Sequence, residues 1–423
     1  MKTKLLALLV MASTTATAAT LHAPDKAFIE SIAPYSLAQE NWDSGASAKL
    51  LMRNSHRMTY YMDMSNKGIA TQDLGKASGL DLTKLKSWDL DGEHNLEVIL
   101  RDRLNQESIV ITKNGKLVDE FYWNGNDKDS THIQMSITKS FTAILVGMLA
   151  DEGKIDMNKP VSVYLPELKG SGFENATVQE VADMRSGIVE PFSPGLVWDD
   201  RMSDIQEWNG VNNYPEFKSI IDWLKVLEAN PHKPHGEVYE YLCSNTELLG
   251  MLVERIEGKS LADAMEERLW SKVGFEHHGL LQSNSNGEAV ASGGLSSTTR
   301  DVARMMNVMI NDGKNHLGQQ IVPKAFIDAL LEGNDEVRSA WAKGKEAKMA
   351  PDAWYKDQIR TFNVAGYKFL AFVGINGQVA IGEPSSGIVI SMNGAQDEMQ
   401  APRTVMMTFF GAIPALLDAV SAK

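Results

Sequence analysis

Apolar and polar positions recur along this chain with two different periods. "QESIVITKNGKLVDEFYW" at 106–123 holds two runs rich in β-branched and aromatic residues, 109–112 and 117–123, joined across Asn114-Gly115. That dipeptide favours a two-residue hairpin turn because both residues tolerate positive φ. Directly afterwards the period lengthens to that of a helix. "SITKSFTAILVGMLADEGK" puts Ile137, Phe141, Ile144, Leu145, Met148 and Leu149 on one stripe and stops at Gly153-Lys154, which predicts a helix with Ser136 at its N-terminus. Further helical stripes lie at 215–229, 245–257 and 297–313. Ser244 with Glu247 reads as a capping box for the second of these and Thr298 with Asp301 for the third. The tail returns to strands, "YKFLAFV", "GQVAIGE" and "GIVISMN", before a closing helix at 401–420.

Strands at both ends with helices between them predict an α/β (α+β) fold. One antiparallel sheet is built from N- and C-terminal segments and flanked by helices, with a mostly helical subdomain inserted. The expected division is a leader at 1–19, a wrapping segment at 20–95, a core from 96–155 and 290–423, and the helical insertion at 156–289. The leader is expected because Lys2 and Lys4 precede an apolar run at 5–12 and the small-residue site Ala16-Thr17-Ala18, the layout of a cleavable secretory signal. Cleavage after Ala18 or Ala19 would place the product in the periplasm or outside the cell. No later run reaches the 18 or so consecutive apolar residues that a membrane span needs. The net charge of -14 disfavours nucleic acid as a partner, and Cys243, the only cysteine, can form no internal disulfide.

Ser136 and Lys139 lie three apart and so share a helical face. A serine hydroxyl becomes a nucleophile when a base adjoins it, and a lysine is such a base once burial or nearby positive charge leaves it neutral. At a helix start the serine N–H is also free to meet an oxyanion. The competing reading makes Ser136 a cap and Lys139 a surface charge. A second stretch, "GEVYEYLCSNTELLGMLVE", places Tyr241 just before a helix, where a phenol could carry a proton to a leaving group; alone, it would read as a core tyrosine.

Four ordered stretches together resemble one family: "SITKSFTAILVGMLADEGKIDMNKPVSVYLPEL", "YLCSNTELLG", "GGLSSTTRDVARMM" and "GINGQVAIGEP". The chain is similar, over about residues 90–420, to the serine hydrolases related to penicillin-binding proteins and class C β-lactamases. The nearest branch contains 6-aminohexanoate-dimer hydrolase and similar esterases and amidases. The resemblance implies a β-lactamase/transpeptidase-like fold, Ser136 as nucleophile, Lys139 as base or relay and Tyr241 as the proton donor to the leaving group. It also implies an oxyanion hole from the N–H groups of Ser136 and Gln378, and no cofactor. The chain departs from the β-lactamases at two places: Tyr-x-Asn becomes Tyr241-Leu242-Cys243, and the basic residue of the third motif becomes Ile375 in Ile375-Asn376-Gly377. Cys243 is a poorer hydrogen-bonding group than an amide, and a substrate carboxylate loses its cation at 375. Both changes favour a small ester or amide over a β-lactam.

Two alternatives remain at this stage: a D-amino-acid peptidase or cell-wall carboxypeptidase, and a catalytically silent relative that binds a ligand. Cys243, Ile375, Asn376, Gly377 and Trp198 are the candidate substrate contacts, Trp198 because it sits in loop-like sequence with Asp199 and Asp200. "EGKS" at 257–260 ends a helix rather than cradling a phosphate, with Gly258 as the stop. His232, His235, His277 and His278 lack ligand spacing for a metal, and no G-x-S-x-G elbow occurs.

Overall fold

Seven antiparallel strands form the main sheet, in the spatial order Trp354–Lys356, Ile359–Val364, Tyr367–Gly374, Gln378–Glu383, Ile388–Gly394, Gln106–Lys113 and Lys116–Tyr122. The computed structural model describes residues 18–193, 196, 198–397 and 401–422; nearly all of the expected leader lies outside them. Chain ends meet in mid-sheet, where Ile390 pairs with Ile111. Asn114 and Gly115 both have positive φ, at 50° and 72°, and connect Lys113 to its partner Lys116, as the hairpin pattern predicts.

Alternation sorts the side chains of this sheet onto two cores. Ile109, Ile111, Ile381, Ile388 and Ile390 face a core shared with Ile413, Leu416, Leu417 and Val420 of the closing helical segment. Val110, Leu370, Phe372, Ala380 and Val389 face the other core, with Ile144 and Leu145 of helix Ile137–Asp151 and Met305 and Met306 of helix Thr299–Ile310. The period of two that marks the strands is thus what lets helices cover both faces. Pro402–Ser421 is long and apolar enough to cross a bilayer, and here it packs one face against the sheet.

A second sheet of five short strands, Leu21–His22, Tyr60–Met64, Gly279–Ser283, Leu295–Thr298 and Thr131–Ile133 in spatial order, was not foreseen. It draws one strand pair from 20–95 and one strand from the stretch expected to be helical. Strands this short carry almost no periodic signal. Around 215–229 only Ile220–Leu224 is helical, shorter than its apolar pattern suggests. The helix expected at 245–257 runs Cys243–Glu257 and ends at Gly258 in the left-handed region. Its expected capping box is absent: Ser244 lies inside the first turn, and the Glu247 carboxylate accepts from Ala291 and Ser292 instead. At Thr298 the box is half formed. Thr298 Oγ1 accepts from the Asp301 N–H, while the Asp301 carboxylate turns to Glu276, His277 and Arg304.

Candidate active site

Strand Thr131–Ile133 delivers the chain into a tight corner at Gln134-Met135-Ser136, from which helix Ile137–Asp151 departs. Met135 holds φ at 47°, a left-handed conformation that costs a non-glycine residue about 1–2 kcal/mol. Surrounding bonds over-determine the corner. Gln134 N–H donates to Leu295 O at 2.7 Å, Thr138 Oγ1 donates to Met135 O at 2.7 Å, and Leu295 N–H donates to Thr138 Oγ1 at 3.0 Å. Ser136 caps nothing with its side chain, so its half-buried hydroxyl is free for other work. Among the described residues no acceptor meets its N–H.

Lys139, one turn on, is 1% exposed. Its Nζ lies 3.1 Å from Ser136 Oγ, 3.4 Å from Cys243 Sγ and 2.7 Å from Ser292 O, three acceptors for the three N–H bonds of an ammonium. Burial is the largest influence on this group and alone would favour the neutral amine. Cys243, Tyr241 and Glu247 outweigh it and hold the lysine above its ordinary range. Burial by itself thus does not decide the charge of Lys139. Cys243 also changes part: it accepts from Lys139 rather than donating, and burial pushes its thiol up.

Tyr241 is half-buried, with its ring centroid 5.1 Å from Lys139 Nζ and 5.1 Å from the Arg360 guanidinium carbon. Lys139 thus touches Ser136 and faces the Tyr241 ring. Arg360 is held by Glu346 at 2.9 and 3.0 Å, and Tyr355 meets the Tyr241 ring edge-on at 6.1 Å. Behind Lys139, Glu247 Oε1 accepts from Ser292 N–H at 2.9 Å and Oε2 from Ala291 N–H at 3.2 Å, while burial pushes its carboxyl up to about 7. Glu190 Oε2 accepts from Ser244 N–H at 3.1 Å, and its carboxyl is likewise raised by burial.

The turn between strands Tyr367–Gly374 and Gln378–Glu383 docks on the corner before Ser136. A Cβ at Gly374 would lie 2.6 Å from Gln134 O and 3.0 Å from Met135 Cβ, a gap that only glycine fits. Asn376 and Gly377 are turned inward, which removes both from the candidate substrate contacts. Asn376 is 3% exposed and donates to Gln396 O at 2.9 Å, and Gly377, with φ at 91°, lies against the Gln396 side chain. The Gln378 side chain is equally enclosed, donating to Gly394 O at 2.7 Å and accepting from Asn393 Nδ2 at 3.0 Å. Ile375 is half-buried in an apolar cluster with Trp42, Met135 and Trp208, which leaves no cation at that place. Trp198 is half-buried against the larger core, and its carbonyl accepts from Ser193 N–H at 3.0 Å; no contact joins it to Ser136, Lys139 or Tyr241.

Sequence reading missed Glu247, Ser292, Arg360 and Asn393. Ser292 acts through a carbonyl that any residue would supply, and Glu247 looks like a cap. Asn393 Nδ2 donates at 3.0 Å to both Gln134 Oε1 and Gln378 Oε1, tying the corner before Ser136 to the strand that opens at Gln378.

Comparison with known proteins agrees with this architecture. Residues 106–406 match the Beta-lactamase family model. The 6-aminohexanoate-dimer hydrolase of Paenarthrobacter ureafaciens is 28% identical over 306 residues, 69% of this chain and 74% of that protein. A Providencia stuartii β-lactamase is 29% identical over 231 residues, 51% of this chain and 54% of its own. A solved Bacillus anthracis structure, provisionally assigned as a 6-aminohexanoate-dimer hydrolase, superposes with a TM-score of 0.80 at 23% identity, covering 95% of this chain and 98% of that one. With the serine, lysine and tyrosine converging inside this fold, the chain belongs to the Beta-lactamase family and is a serine hydrolase.

Proposed function

We propose that this protein is an exported hydrolase that cleaves a small ester or amide through an acyl-enzyme on Ser136. Lys139 and Tyr241 relay the proton, and the N–H groups of Ser136 and Gln378 receive the oxyanion. The observation that carries this reading is the contact of Lys139 Nζ with Ser136 Oγ at 3.1 Å, made by a lysine only 1% exposed. A surface charge beside a helix cap has no reason to be buried against its own serine, since desolvating an ammonium is costly unless it is matched by acceptors. In the reaction the Ser136 proton passes to the lysine amine as the Oγ–carbonyl bond forms, and Tyr241 protonates the departing group as its bond to the carbonyl carbon breaks. Water then releases the acyl group through the same relay.

Ile375 in its apolar cluster favours substrates without an obligatory carboxylate next to the scissile bond, and so ranks esters and linear amides ahead of D-amino-acid peptides. Intact-mass spectrometry after exposure to a fluorophosphonate tests the reading. One adduct on the wild type, absent from Ser136→Ala, is expected; an unlabelled wild type beside a control hydrolase that labels would overturn it. The Ser136→Ala protein should remain folded, since the hydroxyl caps no helix N–H.

A further inference from the structure

Glu247 is 1% exposed on helix Cys243–Glu257, one turn after Cys243. Its two oxygens take the N–H groups of Ala291 and Ser292, and the carbonyl of that same Ser292 takes Lys139 Nζ at 2.7 Å. One residue's main chain thus bridges carboxylate and ammonium. We propose that Glu247 is a positioning residue for the reaction at Ser136: it fixes the Ser292 carbonyl that anchors Lys139 and sets a carboxylate one residue's backbone away from that lysine. The inference rests on the acyl-enzyme reading above and assigns a role outside the serine, lysine and tyrosine.

Two further features support it. Lys139 is the cation whose charge acts on Glu247. The acidic groups around it are Glu254 two turns on, Glu288 from the stretch before Ala291, and Cys243 at the start of its own helix. Burial raises Glu254 and Glu288 toward their neutral forms, as it does Glu247 itself, and Cys243 toward its thiol; what sets Glu247 apart is its bond to the residue whose carbonyl holds Lys139. The second feature is a cavity of about 10 Å3 beside Glu247, lined also by Glu254, Glu288, Leu261 and Gly250. It has room for about one water beside the carboxyl.

The sign of the effect is fixed by the chemistry. Ser136 attacks once Lys139 is a free amine, and a negative Glu247 raises the pH at which that amine appears. Glu247→Gln removes the charge and leaves burial to act, so the rise of Ser136 acylation with pH should move down by about one pH unit or more. Fluorophosphonate labelling rates across neutral and alkaline pH, read by intact mass, measure that midpoint. Glu254→Gln, which loses a carboxylate two turns further from Lys139, should leave it in place. Labelled Glu247→Gln with a midpoint equal to wild type would overturn the proposal, whereas a wild type that never labels would overturn the hydrolase reading instead. If Glu247→Gln does not fold, the wild type decides: the Lys139 13Cε shift, assigned by its loss in Lys139→Ala, should show an inflection near 7, where Glu247 titrates. An inflection confined to the lysine's own titration would overturn the proposal.

Discussion

Asn393 offers the sharpest test of how the site is held together, because it touches no substrate in any reading of the mechanism. It is 1% exposed. Its amide donates at 3.0 Å to Gln134 Oε1 and at 3.0 Å to Gln378 Oε1, while its oxygen accepts from Thr299 Oγ1 at 2.7 Å. Truncation by Asn393→Ala does not strand every partner. Gln378 Oε1 keeps the Gly394 N–H at 3.2 Å, and Thr299 Oγ1 keeps Ser108 Oγ at 2.6 Å. Gln134 Oε1 loses its donor outright. One buried acceptor left bare costs about 1–3 kcal/mol, and the lost Thr299 bond adds about 1 kcal/mol, so a destabilisation of about 3 kcal/mol is expected in urea unfolding. Because Gln134 precedes the strained Met135-Ser136 corner, labelling of Ser136 should also slow, by about tenfold to a hundredfold. Asn393→Asp adds a check on sign. A carboxylate facing two glutamine oxygens is held protonated, so its folded pKa rises above the unfolded value of about 3.9; the variant should match or exceed Asn393→Ala in stability at low pH and lose ground as pH rises. An Asn393→Ala protein that loses less than about 0.5 kcal/mol and labels at the wild-type rate would refute the claim that this network holds the corner.

Gly377→Ala places a methyl 2.8 Å from Gln396 Nε2 at φ 91°, and should cost about 2 kcal/mol with slower acylation, measured by thermal unfolding and probe labelling. Unchanged melting would show that the 374–378 turn is free to adapt. Burial pushes Glu254 up to about 7, so in the folded state it binds a proton that the unfolded chain releases near 4.3. Its contribution is harmless below that value and destabilising as pH climbs through about 7. Glu254→Gln, which can still accept from the Leu261 N–H, should therefore stabilise the protein by about 1–2 kcal/mol at pH above about 8 and leave stability in mild acid unchanged; equal effects at both would locate the gain elsewhere.

What could be read in the sequence follows the length and periodicity of each element. The Asn114-Gly115 hairpin, the stripe from Ile137 to Leu149 and the three C-terminal strands repeat their pattern for long enough to be recognised, and together they dictate the main sheet. Strand Thr131–Ile133 is three residues long and Leu21–His22 only two, so the second sheet, which aims the chain at Ser136, leaves no comparable trace. The contact of Ser136 with Lys139 was legible because three residues on a helix bring two side chains to one face, whereas Tyr241 was given its role only through the family resemblance. Asn376 and Gly377 carried the same kind of signal, yet the structure spends them on the turn itself, where the positive φ at each, 63° and 91°, and the Gln396 contact explain the residue types without a ligand.

The protonation of Lys139 could not be reached from spacing, because it depends on which long-range neighbours share its burial. An isolated lysine at 1% exposure would shed its proton to avoid the desolvation cost. This one is met by a serine hydroxyl, a cysteine sulfur and a main-chain carbonyl, with a carboxylate one residue's backbone away. Burial alone would favour the free amine, and Cys243, Tyr241 and Glu247 act against it. Under the proposed acyl-enzyme chemistry the lysine takes the Ser136 proton as a free amine, and of its three acceptors only Ser136 Oγ lies on the reacting atom. A carbonyl carbon approaching Oγ withdraws electron density from that acceptor, while the acceptors at Cys243 and Ser292 stay where the fold holds them.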